Sequence, residues 1–276
     1  MRLLTANAAA SIGGAPETNE MNLIHGNRHA FAAPDVDVTV VHSSDIHVSE
    51  GFTEPLYGGD GTAGLRAVLA SARALKADLV ILAGDTFEHN RLSAEILDRA
   101  GRLLAEADIP VVILPGNHDP AIPDSVFHRG ALAGLPRLSV LGVTHDEAVS
   151  FPALALEVWG NAHRDYGDMD PLAAARPRSS FWQIAVAHGH YEPLPDRSTK
   201  LRPSWLIGAA EIDATQADYV ALGHWNRHAQ VGSGAVEAHY SGSPDHAGTV
   251  NRIRLKRSGE VAVTREKLDW SSAAKF

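Results

Sequence analysis

The sequence predicts an α/β fold built on a parallel β-sheet. Continuous apolar runs of strand length alternate with amphipathic runs of helical length through the first half. The joins between them are short, as strand–helix–strand units require. Each apolar run stops at a Gly or Ser and gives way to polar side chains, which punctuates it as a strand.

The elements follow in order. VTVVHSS (38–44) is a β-branched run that reads as a buried strand. Residues 62–75 carry apolar positions at helical spacing. ADLVILAG (77–84) is a second apolar strand. LSAEILDRAGRLLAEA (92–107) is an amphipathic helix with Ile96, Leu103 and Leu104 on one side. IPVVILPG (109–116) is the third strand. The second half is richer in strands, with candidates at 138–142, 153–160, 181–190, 218–224 and 236–242. A terminal hairpin closes the chain, its strands RIRLKR and VAVTREKL flanking the turn Ser258-Gly259-Glu260. Residues 1–36 are rich in Ala, Gly, Asn and Pro without a period, so a flexible leader is expected there, with the folded domain over 37–276. The opening MRLLTANAAASIGGA is a weak signal-peptide candidate beside two plainer readings, a mobile tail or a start at Met21.

Composition narrows the chemistry. A hydrophobic fraction of 45% in 276 residues supplies a full core. The absence of cysteine excludes a disulfide framework, a cysteine zinc finger and a cysteine-held iron–sulfur cluster. Fifteen histidines leave imidazole, carboxylate and amide as the available metal ligands. The net charge of −9 argues against broad coating of nucleic acid, which wants a basic face. No apolar run reaches membrane-spanning length. A cytoplasmic protein with no membrane partner is expected.

The polar punctuation carries the function. The first strand ends at Asp45-Ile46-His47, the second at Gly84-Asp85, and the third at Gly116-Asn117-His118-Asp119. Later strands end at His188 and His224. In open α/β sheets, ligands bind beyond the carboxyl ends of the strands, so these groups are placed to converge. Each fragment alone has a plain explanation, as a helix cap, a turn or a packed histidine. The ordered set does not.

That set resembles the calcineurin-like metallophosphoesterase superfamily over about Val38 to Leu268. VHSSDIH, LAGDTFEHNR, LPGNHD, YVALGHW and YSGSPD resemble its branch of SbcD-type DNA repair exonucleases. The resemblance implies two packed mixed β-sheets flanked by helices, a four-layer α/β/β/α sandwich. It also implies two divalent ions, Mn²⁺ foremost, with Fe²⁺ or Zn²⁺ as alternatives. Asp45 and His47 would hold the first metal and Asp85 would bridge. Asn117, His188 and His224 would hold the second, with His190 as the alternative to His188. One position departs from the family. Where a second histidine usually completes the late motif, this chain has Asn226. Its amide oxygen fits without a register shift, and His228 or water are the alternatives. A neutral amide oxygen is a weaker and harder ligand than imidazole.

His118 would be the general acid or transition-state stabiliser and Asp119 its orienting partner. Glu88 is expected to support the site from its loop. His89, Asn90 and Arg91 are candidates for substrate contact, as are His190 and His228. Arg164 and Tyr166 are remoter ones, and His42 should pack behind the site. The expected activity is hydrolysis of phosphodiesters by a hydroxide shared between two metals. The alternatives are an SbcD-like nuclease and, from a different class, a non-catalytic scaffold. Nuclease relatives carry a further capping domain and work with an ATPase partner, whereas this chain looks like the bare catalytic core. DNA is therefore not the favoured substrate, and the sequence names no protein partner.

Overall fold

A computed structural model of the chain describes residues 28–50, 59–192 and 204–273. The signal-peptide and Met21 readings lie outside these residues. Strand β1 (Val38–Ser43) leads through helix α1 (Ala63–Ala74) to β2 (Leu79–Ala83). Helix α2 (Ala94–Ala107) then leads to β3 (Val111–Leu114) and β4 (Leu138–Val140). These four strands pair in parallel, as the alternation of strand and helix predicts. Their faces are both buried, which is why they read as continuous apolar runs rather than as alternation. Val80 and Leu82 of β2 pack towards the helices, while Leu79, Ile81 and Ala83 face the opposite way.

The second half builds a second sheet. Its strands are β5 (Ala148–Phe151), β6 (Leu156–Gly160), β7 (Trp182–His188), β10 (Tyr219–Gly223), β11 (Ala229–Val231) and β12 (Glu237–Tyr240). Between β7 and β10 lie the short parallel pair β8 (His190–Tyr191) and β9 (Leu206–Ile207), and helix α3 (Ala209–Ala214). The spatial order is β11-β12-β10-β7-β6-β5. Strands β13 (Thr249–Leu255) and β14 (Val261–Lys267) return to the first sheet, giving β14-β13-β1-β2-β3-β4. They form the expected hairpin and so pair antiparallel, which makes the first sheet mixed rather than parallel throughout. Two details were not legible. Ala148–Phe151 is an edge strand with one fully buried residue, too weak a pattern to read. Residues 152–154 form a 3₁₀ turn and Ala155 has φ 47°, so the strand expected from 153 begins at Leu156.

The two sheets face each other. Ile81, Val112 and Leu114 of the first pack against Leu156, Ile184 and Val186 of the second. Helices α1 and α2 cover the outer face of the first sheet through residues such as Leu65, Leu69, Leu97 and Leu104. Ile212 of α3 packs against Leu222 and Ala187 on the outer face of the second. The four-layer sandwich implied by the sequence is therefore the observed one. Each fully buried Leu, Ile or Val side chain in these layers stabilises the fold by about 1.5–3 kcal/mol relative to exposure.

Arg28 lies inside the segment expected as a leader, and it is docked. Its guanidinium is 2.9 Å from Asp218, donates to the Gly259 carbonyl at 2.7 Å and lies over the Trp182 ring. Among the described residues, no helix is long and apolar enough to cross a membrane.

Candidate metal centre

Strands β1, β2 and β3 of one sheet and β7 and β10 of the other end at the same edge of the sandwich. Their terminal polar residues meet there. His188, the last residue of β7, donates from Nδ1 to the carbonyl of Ala83 on β2, at 2.9 Å. The backbone N–H of His224, just past β10, donates to the Asp45 carboxylate at 3.0 Å and 3.2 Å. Such close approach across the two sheets needs glycine. A Cβ on Gly84 would lie 2.0 Å from the His188 ring, and one on Gly223 would lie 1.8 Å from the Ala83 carbonyl oxygen.

Four candidate ligands sit in the left-handed region: Asp45 (φ 53°), His47 (φ 52°), Asp85 (φ 50°) and His224 (φ 100°). Non-glycine residues there cost on the order of 1–3 kcal/mol each, and such strain clusters at functional sites. The turns are held by backbone pairing. The N–H groups of Asp45, His47 and Val48 donate to the carbonyls of Gly84, Asp85 and Thr86. The loops after β1 and β2 are thereby zipped together, and their carboxylates are aimed at one point.

Two donor groups share Asp85. One is Asp45, His47 and Asp85; the other is Asp85, His188 and His224. Within each, the donor atoms lie within 4.8 Å of one another. Asn117 joins the second group, its amide oxygen 3.0 Å from His188 Nε2. His188 Nε2 is also 3.1 Å from Asp85 Oδ2. Asp45, Asp85 and His188 are all buried, so two carboxylates are removed from water with a single imidazole between them. That charge balance and the carboxylate–imidazole–amide chemistry, with His188 Nε2 facing Asp85 and Asn117, fit a divalent cation.

Protonation follows the same charges. Burial would lower the His188 pKa, but Asp85 and then Asp45 outweigh it and push it up to about 9. Burial would raise Asp85, yet the charge and hydrogen bond of His188 hold it below the usual carboxylate range. Burial lowers His224 to about 4, assisted by the charge on His188.

His118 stands beside this centre. Its N–H donates to Asp85 Oδ1 at 2.8 Å, and its ring lies 4.7 Å from that of His47. Its Nδ1 is 2.9 Å from the Glu88 carbonyl. A carbonyl only accepts, so Nδ1 carries the proton and Nε2 is left for a substrate. The Glu88 carboxylate lies 3.0 Å from His47 Nδ1, and His47, Glu88 and His118 make a further group of candidate donors. Asp119 does not orient His118. It is fully buried and accepts from the Gly116 N–H at 2.7 Å and the Phe87 N–H at 3.0 Å. It therefore locks the two ligand loops together from behind. Burial, reinforced by Asp85, pushes its pKa up to about 7.

The late motif is looser. Asn226 is exposed, and its backbone carbonyl accepts from the Ser243 N–H. The His228 ring is 6.2 Å from His239 and belongs to neither donor group. His190 accepts from Trp225 Nε1 at 3.1 Å and packs edge-on to Trp225, with its ring 6.5 Å from His224. His42 is buried behind the site as expected, 3.0 Å from the Tyr219 hydroxyl.

A cavity of about 690 Å³ adjoins His118, and His89, Arg91, Tyr166 and Trp205 are among its lining residues. Asn90 lines it too, but its amide donates to Pro120 and accepts from Val126, so its polar atoms are already engaged. Arg164 lies elsewhere, in a cavity with His145 and Arg176. Two neighbours of the centre were not assigned from sequence. His163 donates to the His188 carbonyl at 2.9 Å, and the Trp205 ring lies 5.7 Å from His224. His163 follows the end of β6, so the strand-end rule applied to that strand as well would have found it. Nothing local marks Trp205.

Comparisons with known proteins identify the family and the fold. A family model described as calcineurin-like phosphoesterase matches residues 38–228. The DNA double-strand break repair protein Mre11 of Archaeoglobus fulgidus is 26% identical over 200 residues, covering 66% of this chain and 44% of that protein. The chain thus spans less than half the length of this relative. Among solved structures, TT1561 of Thermus thermophilus is similar, with a TM-score of 0.53 at 14% identity, covering 83% of this chain and 98% of that one. A second crystal structure gives a TM-score of 0.54, also at 14% identity, covering 84% of this chain and all of the other. At that identity the likeness shows the fold.

Proposed function

This chain belongs to the calcineurin-like phosphoesterase family, and on that premise we propose that it hydrolyses phosphodiesters at a centre of two divalent metal ions. The observation that carries the reading is Asp85, a buried carboxylate shared by two donor groups. Asp45 and His47 would complete the first site, and Asn117, His188 and His224 the second. When bound, the ions would neutralise phosphoryl charge and lower the pKa of water from 15.7 towards about 7.

The protein's own groups supply the rest. Asp85, shared by both donor groups, would set the spacing of the two sites. His188 is oriented through the Ala83 carbonyl, which leaves Nε2 for the metal. His118, held by the Glu88 carbonyl, presents Nε2 to the leaving oxygen and gives it a proton when charged. Arg91, exposed at the cleft, offers a cation to the phosphate's remaining oxygens.

A second reading, DNA cleavage, is favoured by the likeness to Mre11. The net charge of −9 speaks against extended duplex contacts. An assay of the Mn²⁺-loaded protein on a phosphomonoester, a phosphodiester and linear DNA side by side tests both. Chelator-sensitive turnover of the small diester is the expected result. Cleavage of DNA in preference to it would promote the second reading, and activity on the monoester alone would displace both.

A further inference from the structure

The cleft beside the centre is lined by mixed side chains. His89, Arg91 and His118 suit an anion, Glu88 and Asp124 add acidic groups, and Ile122, Tyr166 and Trp205 suit an apolar plane. Tyr166 leaves 62% of its surface exposed, and it and Val36 are the large hydrophobic residues so exposed among those described.

Its neighbour is fixed in place. Trp205 donates from Nε1 to the Gly167 carbonyl at 2.7 Å and from its backbone to Asp168 at 2.7 Å. The Gly167 N–H in turn donates to Asp165 at 2.7 Å, which closes the turn that carries Tyr166. Both aromatic residues are therefore anchored to one short turn. The indole is further braced edge-on, 5.2 Å from His163 and 5.7 Å from His224. Trp205 thus links the second donor group to the turn that carries Tyr166. The Trp205 N–H and the Asn90 amide are already bonded, which leaves the indole to offer its ring face. Such a surface recognises a flat group by stacking and is indifferent to the pattern of polar atoms on its edge. A cavity of about 690 Å³ has room for such a group and the phosphate it carries.

We propose that Tyr166 and Trp205 form a stacking subsite for the planar aromatic group of the phosphate ester, either a nucleobase or an aryl ring. The proposal rests on the reading of the chain as a metal phosphoesterase, which places the phosphate at Asn117 and His118.

Calorimetry of the Mn²⁺-loaded protein with methylphosphonate, phenylphosphonate and thymidine 5′-phosphate tests it. The aromatic ligands should bind roughly tenfold or more tightly than methylphosphonate, the scale of one stacked ring. Tyr166→Ala, a change at an exposed side chain, should reduce that preference severalfold, and Trp205→Leu should do the same. A preference for thymidine 5′-phosphate alone assigns a nucleobase; an equal gain with phenylphosphonate assigns any aryl ring. Equal affinity for all three ligands, or a preference that survives in Tyr166→Ala, overturns the subsite. If the protein hydrolyses a diester yet shows no such preference, the subsite alone falls. If it binds none of the three, the subsite falls together with the metal centre it rests on.

Discussion

The two sides of the centre differ in how firmly they are built. On the side of Asp85, His188 and His224, position is set by backbone. His188 is buried, its ring tied to a carbonyl of the opposite sheet, with glycines on both approaches. On the side of Asp45 and His47, the turns are also held by backbone pairing and Asp45 is buried, but His47 is a partly exposed loop side chain with Glu88 and His118 beside it. Side-chain exposures there are 27% for His47 and 40% for both Glu88 and His118. The fourth ligand expected on that side, Asn226, is exposed. A ligand fixed by strand pairing needs no ordering when a cation arrives, whereas a loop ligand loses conformational entropy. The second site should therefore bind its metal more tightly than the first.

The largest test removes what both sides share. Asp85→Asn should abolish turnover and lower content of both metals. The loss should exceed the about 10⁴-fold that a single acid–base group supplies. Full activity with normal metal content would refute the bridging role. His118→Asn should keep both metals and lose about 10²–10⁴-fold in rate, most for substrates with poor leaving groups. Metal analysis beside kinetics decides it, since loss of metal would make His118 a ligand.

Smaller changes probe the loop side alone. Glu88→Gln removes the carboxylate next to His47 Nδ1 and should weaken the first metal by about 10–100-fold with little effect on the second. Two-site metal titration would show a single affinity falling. Equal weakening of both would erase the proposed asymmetry. Asn226→His restores imidazole and should narrow the gap between the two affinities; an unchanged first site would mean that this position does not reach the metal.

A last effect, on stability rather than activity, lies behind the centre. Burial, assisted by His239, lowers the His42 pKa to about 3 from an ordinary 6.5. The folded His42 stays neutral where the unfolded one takes a proton. The unfolded state therefore binds more protons between these values, and stability falls as pH drops from 6.5 towards 3. The slope from this group is about 1.4 kcal/mol per pH unit. His42→Gln should flatten the urea-unfolding profile by that amount in the same window. An unaltered slope would mean that His42 is not protonated on unfolding.

The sequence by itself determined where the strands end and which chemical groups stand there. Strand-terminal positions are read from local apolar runs, and Asp45, His47, Asp85, Asn117, His188 and His224 all lie at or just past such ends. Local pattern also gave both long helices, because each buries a periodic face of its own, and the hairpin, because a tight turn joins two strand-like runs. What tertiary structure decided was the partner of each group. His188 and His190 both end the same apolar run, but β7 stops at His188, and the Ala83 carbonyl that orients it comes from the other sheet. Asp119 looked like a partner of His118 because it is adjacent in sequence. The fold instead gives it the Phe87 and Gly116 N–H groups, which belong to the two loops it joins. Trp205 reaches His224 only through packing of the 161–180 loop, without a local signal. The edge strand Ala148–Phe151 was unreadable for a related reason: its pairing with β6, rather than its own sequence, makes it a strand. Local periodicity records which face of an element is buried. It carries no information on which distant carbonyl, carboxylate or ring will stand opposite, because that depends on how the two sheets pack.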